Sequence, residues 1–97
     1  MDLQNIINQE NTTLVDLREP FETIFGKAKG ATNIPLRKIQ NRVEDFRQMS
    51  KPIIVYCRSG NRSRQAMNYL KEQGILEVYN GGSLSDVKIL LGNDKSI

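Results

Sequence analysis

The chain lacks histidine entirely and has a single cysteine among its 97 residues. Without histidine, every mechanism in which an imidazole activates a cysteine nucleophile is excluded. One cysteine cannot form a disulfide within the chain, which agrees with a reducing compartment. No apolar run approaches the ~20 residues that a membrane-spanning helix needs, and the N-terminus lacks the basic start and apolar core of a secretory signal. We therefore expect a cytoplasmic protein with no membrane segment.

The positive charge of the chain is small and local. The formal net charge is +3 and the isoelectric point is about 9.2. Arg58, Arg62 and Arg64 stand close to Cys57, while the other cationic residues are scattered among acidic ones. Nucleic-acid binding calls for a long basic face or for aromatic side chains that stack on bases. We expect a small anionic partner and no nucleic acid, and a single, monomeric domain over residues 1–97.

Helix and strand patterns alternate along the chain. In order, they predict a helix near residues 3–7, a strand at 12–17, a short helix at 21–25, an extended segment at 33–36, an amphipathic helix at 36–46, a buried strand at 53–56, a helix that ends at Gly74, a strand at 77–79, a turn at Gly81-Gly82 and a last helix at 86–91. Consecutive strand, helix and strand form a βαβ unit with parallel strands. The predicted fold class is α/β, a central, mainly parallel β-sheet flanked by helices on both faces, in which ligands bind beyond the carboxyl ends of the strands.

The only cysteine lies at such a strand end and opens a polar loop: Cys57-Arg58-Ser59-Gly60-Asn61-Arg62-Ser63. A thiol has a pKa of about 8.5, so the loop must lower it to make a useful nucleophile. Backbone N–H groups in a tight loop can converge on an anion, and a helix that begins near Ser63 adds the positive end of its dipole. The guanidinium groups of Arg58 or Arg62 could add charge-assisted hydrogen bonds. These features predict that Cys57 attacks an anionic substrate as a thiolate, with no general base.

The alternative is that Cys57 is a core residue. Cysteine is among the most buried residue types, and a lone one at the end of an apolar strand is more often structural than catalytic. Here six polar or glycine residues follow it without interruption. Because reactive cysteines occupy electropositive, partly exposed sites, we interpret Cys57 as a partly exposed nucleophile.

Three ordered motifs resemble those of single-domain rhodaneses, which are thiosulfate and persulfide sulfurtransferases. The loop at residues 57–63 resembles the family's active-site loop. The second motif is similar to its N-terminal signature and consists of Leu14-Val15-Asp16-Leu17-Arg18-Glu19-Pro20-Phe21-Glu22, Gly26, Gly30-Ala31 and Asn33-Ile34-Pro35-Leu36. The third, Val78-Tyr79-Asn80-Gly81-Gly82, resembles the strand and double glycine before its last helix.

The resemblance implies a small rhodanese-like domain in which Cys57 takes a sulfane sulfur from a small anionic donor such as thiosulfate. The persulfide would then pass its sulfur to a thiol, a protein acceptor or cyanide. The implied substrate-binding residues are Arg58, Ser59, Gly60, Asn61, Arg62 and Ser63. Backbone amides would hold the terminal sulfur, Arg62 would neutralise the anion and Arg58 would set donor preference. Asp16 and Arg18 would organise loops, and we expect neither a metal ion nor a cofactor.

The sequence departs from the family pattern at two places. Lys27 stands where the family usually has histidine, and no aromatic residue follows Gly82, so we expect a more open or differently packed pocket wall there. Two other functions remain as alternatives. A cysteine-dependent phosphatase or arsenate reductase would need an arginine six positions after the cysteine, where this chain has Ser63. A persulfide carrier, or a regulatory or docking module, would use the same fold without significant thiosulfate turnover.

Overall fold

The computed structural model describes residues 2–92, so Met1 and residues 93–97 of the predicted domain lie outside the described residues. Within them the strands are β1 (Thr13–Asp16), β2 (Thr32–Asn33), β3 (Ile53–Cys57) and β4 (Val78–Ser83). They form one sheet in the order β2-β1-β3-β4, and all neighbouring strands are parallel. The helices are α1 (Leu3–Ile7), α2 (Val43–Gln48), α3 (Asn61–Glu72) and α4 (Leu84–Leu91), with 3₁₀ helices at Pro20–Thr23 and Leu36–Arg42. The predicted parallel α/β fold is confirmed.

The central strand β3 is buried on both faces of the sheet. Because successive side chains of a strand point to opposite faces, Ile53, Val55 and Cys57 join one apolar cluster with α2 and α3. Ile54 and Tyr56 join a second cluster with α1 and α4. Helices therefore cover both faces, as predicted, and this double burial explains why β3 reads as a continuous apolar run.

The sequence predicts one amphipathic helix over residues 36–46, and this prediction is wrong. The segment is a 3₁₀ helix over Leu36–Arg42 followed by α2, and the backbone leaves the helical region at Arg42, with φ −121° and ψ 16°. Ile39 and Phe46 are nevertheless both buried. Side chains three apart line up on a 3₁₀ helix, so a spacing of three serves the core there as it would in an α-helix. No helix among residues 2–92 is long and apolar enough to cross a membrane.

The predicted turn at Gly81-Gly82 is wrong, because both glycines lie inside β4. Val55 pairs with Asn80 and Tyr56 pairs with Gly82, which leaves Gly81 as an extra residue in a β-bulge. A Cβ atom at Gly81 would lie 2.8 Å from Cγ2 of Ile54 and 2.9 Å from Cγ2 of Val87. Close packing of the strand against α4 therefore requires this glycine.

Candidate active site

Cys57 is the last residue of β3, and only residues 58–60 separate it from α3. The helix begins at Asn61, two residues earlier than the Ser63 start that the sequence predicts. Gly60 makes the turn with φ +92°, a conformation that other residues rarely adopt. This short connection brings the first turn of α3 back against the sulfur of Cys57.

The sulfur of Cys57 accepts hydrogen bonds from the backbone of this loop. The N–H groups of Gly60 and Ser63 donate to Sγ, at N···S distances of 3.0 and 3.4 Å. The Ser63 hydroxyl lies 3.4 Å from the same atom. No arginine among residues 2–92 donates to Sγ, so the cradle is made of neutral groups and not of the guanidinium groups that the sequence suggested.

These donors set the acidity of the thiol. Burial alone would raise the pKa of Cys57, but hydrogen bonds from the hydroxyl and amide of Ser63 and from the amides of Ser59 and Gly60 outweigh it and lower the pKa below its ordinary value. Backbone amides can donate to a thiolate without any proton transfer. The geometry therefore favours the ionised form of Cys57 although the chain has no histidine.

The Ser63 hydroxyl has two other partners. Its Oγ lies 2.6 Å from Oδ1 of Asn80 and 3.1 Å from the carbonyl oxygen of Gly60. A hydroxyl has only one proton, so it cannot donate to Asn80 and to Cys57 at the same time. The Gly60 and Ser63 amides are therefore the permanent donors to sulfur, while the hydroxyl becomes one when it turns away from Asn80.

Cys57 is completely buried, and the predicted partial exposure is wrong. The reason is that β3 continues into the core up to its last residue, and the three-residue loop then folds back over the sulfur. The N–H groups of Asn61 and Arg62 open α3 and have no acceptor within residues 2–92. The sulfur thus lies next to a helix start whose first two amides have no acceptor among the described residues.

Arg62 forms a two-pronged ion pair with Glu22. Its Nη1 and Nη2 lie 2.7 and 2.9 Å from the two carboxylate oxygens. The hydrogen bonds from Arg62 are the main cause that lowers the pKa of Glu22 to about 2, against the opposing effect of burial. The predicted anion-neutralising role of Arg62 remains a prediction, because in this structure its charge is matched by Glu22. No sequence spacing points to this pair, whose members lie 40 residues apart.

Asp16 and Arg18 connect the end of β1 to residues 20–26. Both are buried, and Nη2 of Arg18 lies 2.8 Å from Oδ2 of Asp16. The same guanidinium donates to the carbonyl oxygens of Glu22 and Gly26, at 3.0 and 2.7 Å. These contacts hold the segment that carries Glu22, in keeping with the loop-organising role expected for the pair.

The remaining loop side chains face outward. Arg58, Ser59 and Asn61 are exposed. Arg58 lines a cavity of about 180 Å³ together with Arg18 and Glu22. Arg58 makes no ion pair with any carboxylate between residues 2 and 92, so it brings an unbalanced positive charge to the mouth of the site.

Asn80 is a site residue that the sequence reasoning missed. Its side-chain amide donates to the carbonyl oxygen of Gly60 at 3.1 Å, and its Oδ1 accepts from the N–H of Gly82 at 2.8 Å. With the contact to Ser63, it fixes the cysteine loop to β4. The sequence feature that could have identified Asn80 as a site residue is its position in the third motif, directly before the double glycine.

Comparison with known proteins places this geometry in a family. The model of the rhodanese-like domain matches residues 1–87. The chain is 40% identical over 67 residues to the uncharacterized protein YqhL of Bacillus subtilis. The match covers 69% of this chain and 52% of the length of YqhL, so the chain spans about half of that protein. The chain is also 36% identical over 77 residues to a sulfurtransferase of Allochromatium vinosum, and this match covers 79% of this chain and 71% of that protein.

Solved structures agree with the sequence comparison. A rhodanese with anions from E. coli superposes with a TM-score of 0.70 and 33% identity, over 77% of this chain and 89% of that one. Similar proteins also include a longer one, a tRNA uridine(34) hydroxylase of Buchnera aphidicola, of which the chain spans 30%. The match over residues 1–87, the parallel sheet and the cysteine loop at a strand end together show that this chain belongs to the rhodanese-like domain family.

Proposed function

We propose that this protein is a sulfurtransferase that carries a sulfane sulfur as a persulfide on Cys57. The observation that carries the proposal is the cradle of amide donors from Gly60 and Ser63 around Sγ. Neutral donors stabilise an anionic sulfur in either the thiolate or the persulfide form. A sulfurtransferase among the relatives supports the same chemistry. The single cysteine of the sequence fits action in a reducing compartment such as the cytoplasm.

The first step uses thiosulfate as the donor. The Cys57 thiolate attacks the outer sulfur of thiosulfate, a new S–S bond forms, and the S–S bond of the donor breaks. Sulfite leaves with the bonding electron pair, so no other oxidant or reductant is needed. The exposed guanidinium of Arg58 attracts the anionic donor, while the N–H groups of Asn61 and Arg62, which have no acceptor among residues 2–92, are available to bind the terminal sulfur.

The second step returns the enzyme. A thiolate acceptor attacks the terminal sulfur of the persulfide, the acceptor becomes a persulfide, and the Cys57 thiolate is the leaving group. The amides of Gly60 and Ser63 then hold the same charge that they held at the start. The negative charge moves from Sγ to the terminal sulfur in the first step and returns to Sγ in the second, so no group of the site has to gain or lose a proton.

The dimensions of the site favour sulfur over a phosphate ester. Three residues separate Cys57 from α3, and the sulfur is fully buried. A phosphoryl group would bring three further oxygens to this space, and Arg62, which could bind them, is paired with Glu22. A single sulfur atom needs only the amide donors.

The test is the mass of the protein after incubation with thiosulfate. We expect an increase of one sulfur atom on Cys57, its removal by cyanide as thiocyanate, and no increase in Cys57→Ser. Absence of the adduct with thiosulfate, polysulfide and a low-molecular-weight persulfide would overturn the proposal. Uptake from the latter two but not from thiosulfate would identify a persulfide carrier instead of a thiosulfate sulfurtransferase.

A further inference from the structure

Residues 20–26 have their polar groups inside and their apolar side chains outside. Arg62 binds the Glu22 carboxylate, and Arg18 binds the carbonyl oxygens of Glu22 and Gly26. Phe21, Ile24 and Phe25, by contrast, are 69%, 69% and 99% exposed. The side chains that would normally enter a core are thus presented to the surroundings by a segment that buried polar contacts hold in place.

The three apolar side chains are close neighbours along the segment. Pro20–Thr23 is a 3₁₀ helix, and Ile24 keeps helical backbone angles of φ −58° and ψ −41°. Residues three apart share a face in a 3₁₀ turn, which groups Phe21 with Ile24, and Phe25 follows Ile24 directly. We call Phe21, Ile24 and Phe25 the apolar rim. At about 200 Å² for a whole aromatic side chain, the exposed fractions of its two phenylalanines leave roughly 300 Å² of apolar surface.

The apolar rim is next to the reactive cysteine. Glu22, which lies between its members, is bound to Arg62, the second residue of α3. The following residue, Ser63, donates its N–H to Sγ of Cys57. One ion pair therefore connects the segment that carries the rim to the first turn of α3, so a protein bound at the rim is close to the cysteine loop.

The charges around the rim are positive. Lys27, two residues after Phe25, is exposed, and a Cβ atom at Gly26 would lie 3.9 Å from Nζ of the exposed Lys88. Arg58 is exposed at the mouth of the site. Within the described part of the chain none of these cations has an acidic partner, whereas the nearby Glu22 is neutralised by its ion pair.

We propose that the apolar rim is the docking surface for an acidic protein that presents its cysteine to Cys57 as the sulfur acceptor. This inference rests on the proposed sulfurtransferase function. An acidic surface with a few apolar side chains complements both the charge and the hydrophobicity of the rim. The rim is small compared with the ~800 Å² per partner of a stable interface, and like charges oppose pairing with a second copy. A transient complex suits a sulfur carrier, which must release its partner after each transfer.

The test compares acceptor peptides. One synthetic peptide has a cysteine flanked by aspartate, glutamate and leucine, and a second has lysine in place of each acid. Sulfur transfer from the persulfidated protein is timed with each peptide and with mercaptoethanol. We expect the acidic peptide to react about tenfold faster than the basic one, because the cations around the rim favour it. Phe25→Ser should slow transfer to the acidic peptide by about tenfold, as loss of a central aromatic contact does. Transfer to mercaptoethanol should not change.

Leu76→Ser is the matched control, because Leu76 is 70% exposed and lies just before β4, at the amino ends of the parallel strands, whereas Cys57 lies at their carboxyl ends. Equal rates with the two peptides, or an equal loss in Leu76→Ser, would overturn the docking proposal. A concentration-dependent dimer that Phe25→Ser abolishes would assign the rim to a second copy and also overturn it.

A binding assay separates failure of the docking surface from failure of the sulfurtransferase function. Fluorescence anisotropy measures binding of the acidic peptide in which serine replaces cysteine, and this measurement needs no persulfide. Retained, Phe25-dependent binding without sulfur uptake would refute the function and leave the surface supported. Sulfur uptake without any difference in binding between the wild type and Phe25→Ser would refute the docking surface alone.

Discussion

Replacement of Glu22 by glutamine tests the ion pair that joins residues 20–26 to the first turn of α3. The Glu22 carboxylate accepts from Nη1 and Nη2 of Arg62 and from the N–H of Glu19. These contacts lower its pKa from 4.5 to about 2, with the Arg62 hydrogen bonds as the largest cause. Glutamine keeps the size of the side chain and one acceptor oxygen but removes the charge.

The size of the effect follows from the pKa of Glu22. At about 1.4 kcal/mol per pKa unit, the shift from 4.5 to about 2 corresponds to about 3 kcal/mol of preference of the folded state for the ionised carboxylate. The Glu22 side chain is only 14% exposed, so screening by solvent is limited. Because the pKa is lower in the folded state, this stabilisation is complete above about pH 4.5 and is lost as the pH falls toward 2. We expect Glu22→Gln to lower the free energy of unfolding by up to about 3 kcal/mol at neutral pH.

Urea unfolding of both proteins between neutral and acidic pH measures this difference, and it should shrink as the pH falls below 4.5. A carboxyl NMR titration gives the pKa of Glu22 directly. Glu19→Gln is the control, since Glu19 pairs with the largely exposed Arg37 and such pairs contribute less than about 1 kcal/mol. A Glu22 that titrates near its ordinary pKa, or equal urea midpoints for Glu22→Gln and Glu19→Gln, would refute this reasoning.

Three further predictions concern the site and the sheet. Ser63→Ala should raise the pKa of Cys57, as followed by the ultraviolet absorbance of the thiolate, and an unchanged pKa would leave the amides as the only donors. Burial raises the pKa of Tyr56 to about 12, so an ultraviolet titration should show a tyrosine that ionises there and is absent in Tyr56→Phe; stability should fall as the pH rises from 10 toward 12. Gly81→Ala should cost about 1 to 3 kcal/mol of unfolding free energy, because its Cβ would lie 2.9 Å from Val87; a stability equal to wild type would contradict the close packing of β4 on α4.

The elements that bury continuous or periodic apolar patterns were predictable from the sequence. β3 is a run of four apolar residues before Cys57, and α3 repeats its apolar positions every three or four residues. Such patterns report burial directly, which is why the parallel order and the position of the cysteine at a strand end followed from them. The double glycine at residues 81–82 was misread because local preference cannot separate a turn from a bulge. Only the side chains of Ile54 and Val87, which are distant in sequence, decide between the two.

The electrostatics of the site were predictable only in part. Arginines near Cys57 in the sequence suggested charged donors, yet no arginine among residues 2–92 donates to Sγ, and Arg62 binds Glu22. Sequence proximity does not fix side-chain direction. The backbone N–H groups, which no residue letter displays, converge on Sγ because the turn at Gly60 aims them there. The burial of the thiol depends on this same turn and was missed for the same reason.

Because the donors to Sγ of Cys57 are mainly backbone N–H groups, the exposed side chains of the loop can be replaced while its backbone conformation must be kept. Every residue except proline has a backbone N–H group, so replacement of the exposed side chains of Arg58, Ser59 and Asn61 leaves the amides in place. Evolution, or a protein engineer, can therefore change the donors and partners that the loop accepts without rebuilding its nucleophile. Only the backbone path through Gly60 is indispensable, since it alone directs those amides to the sulfur.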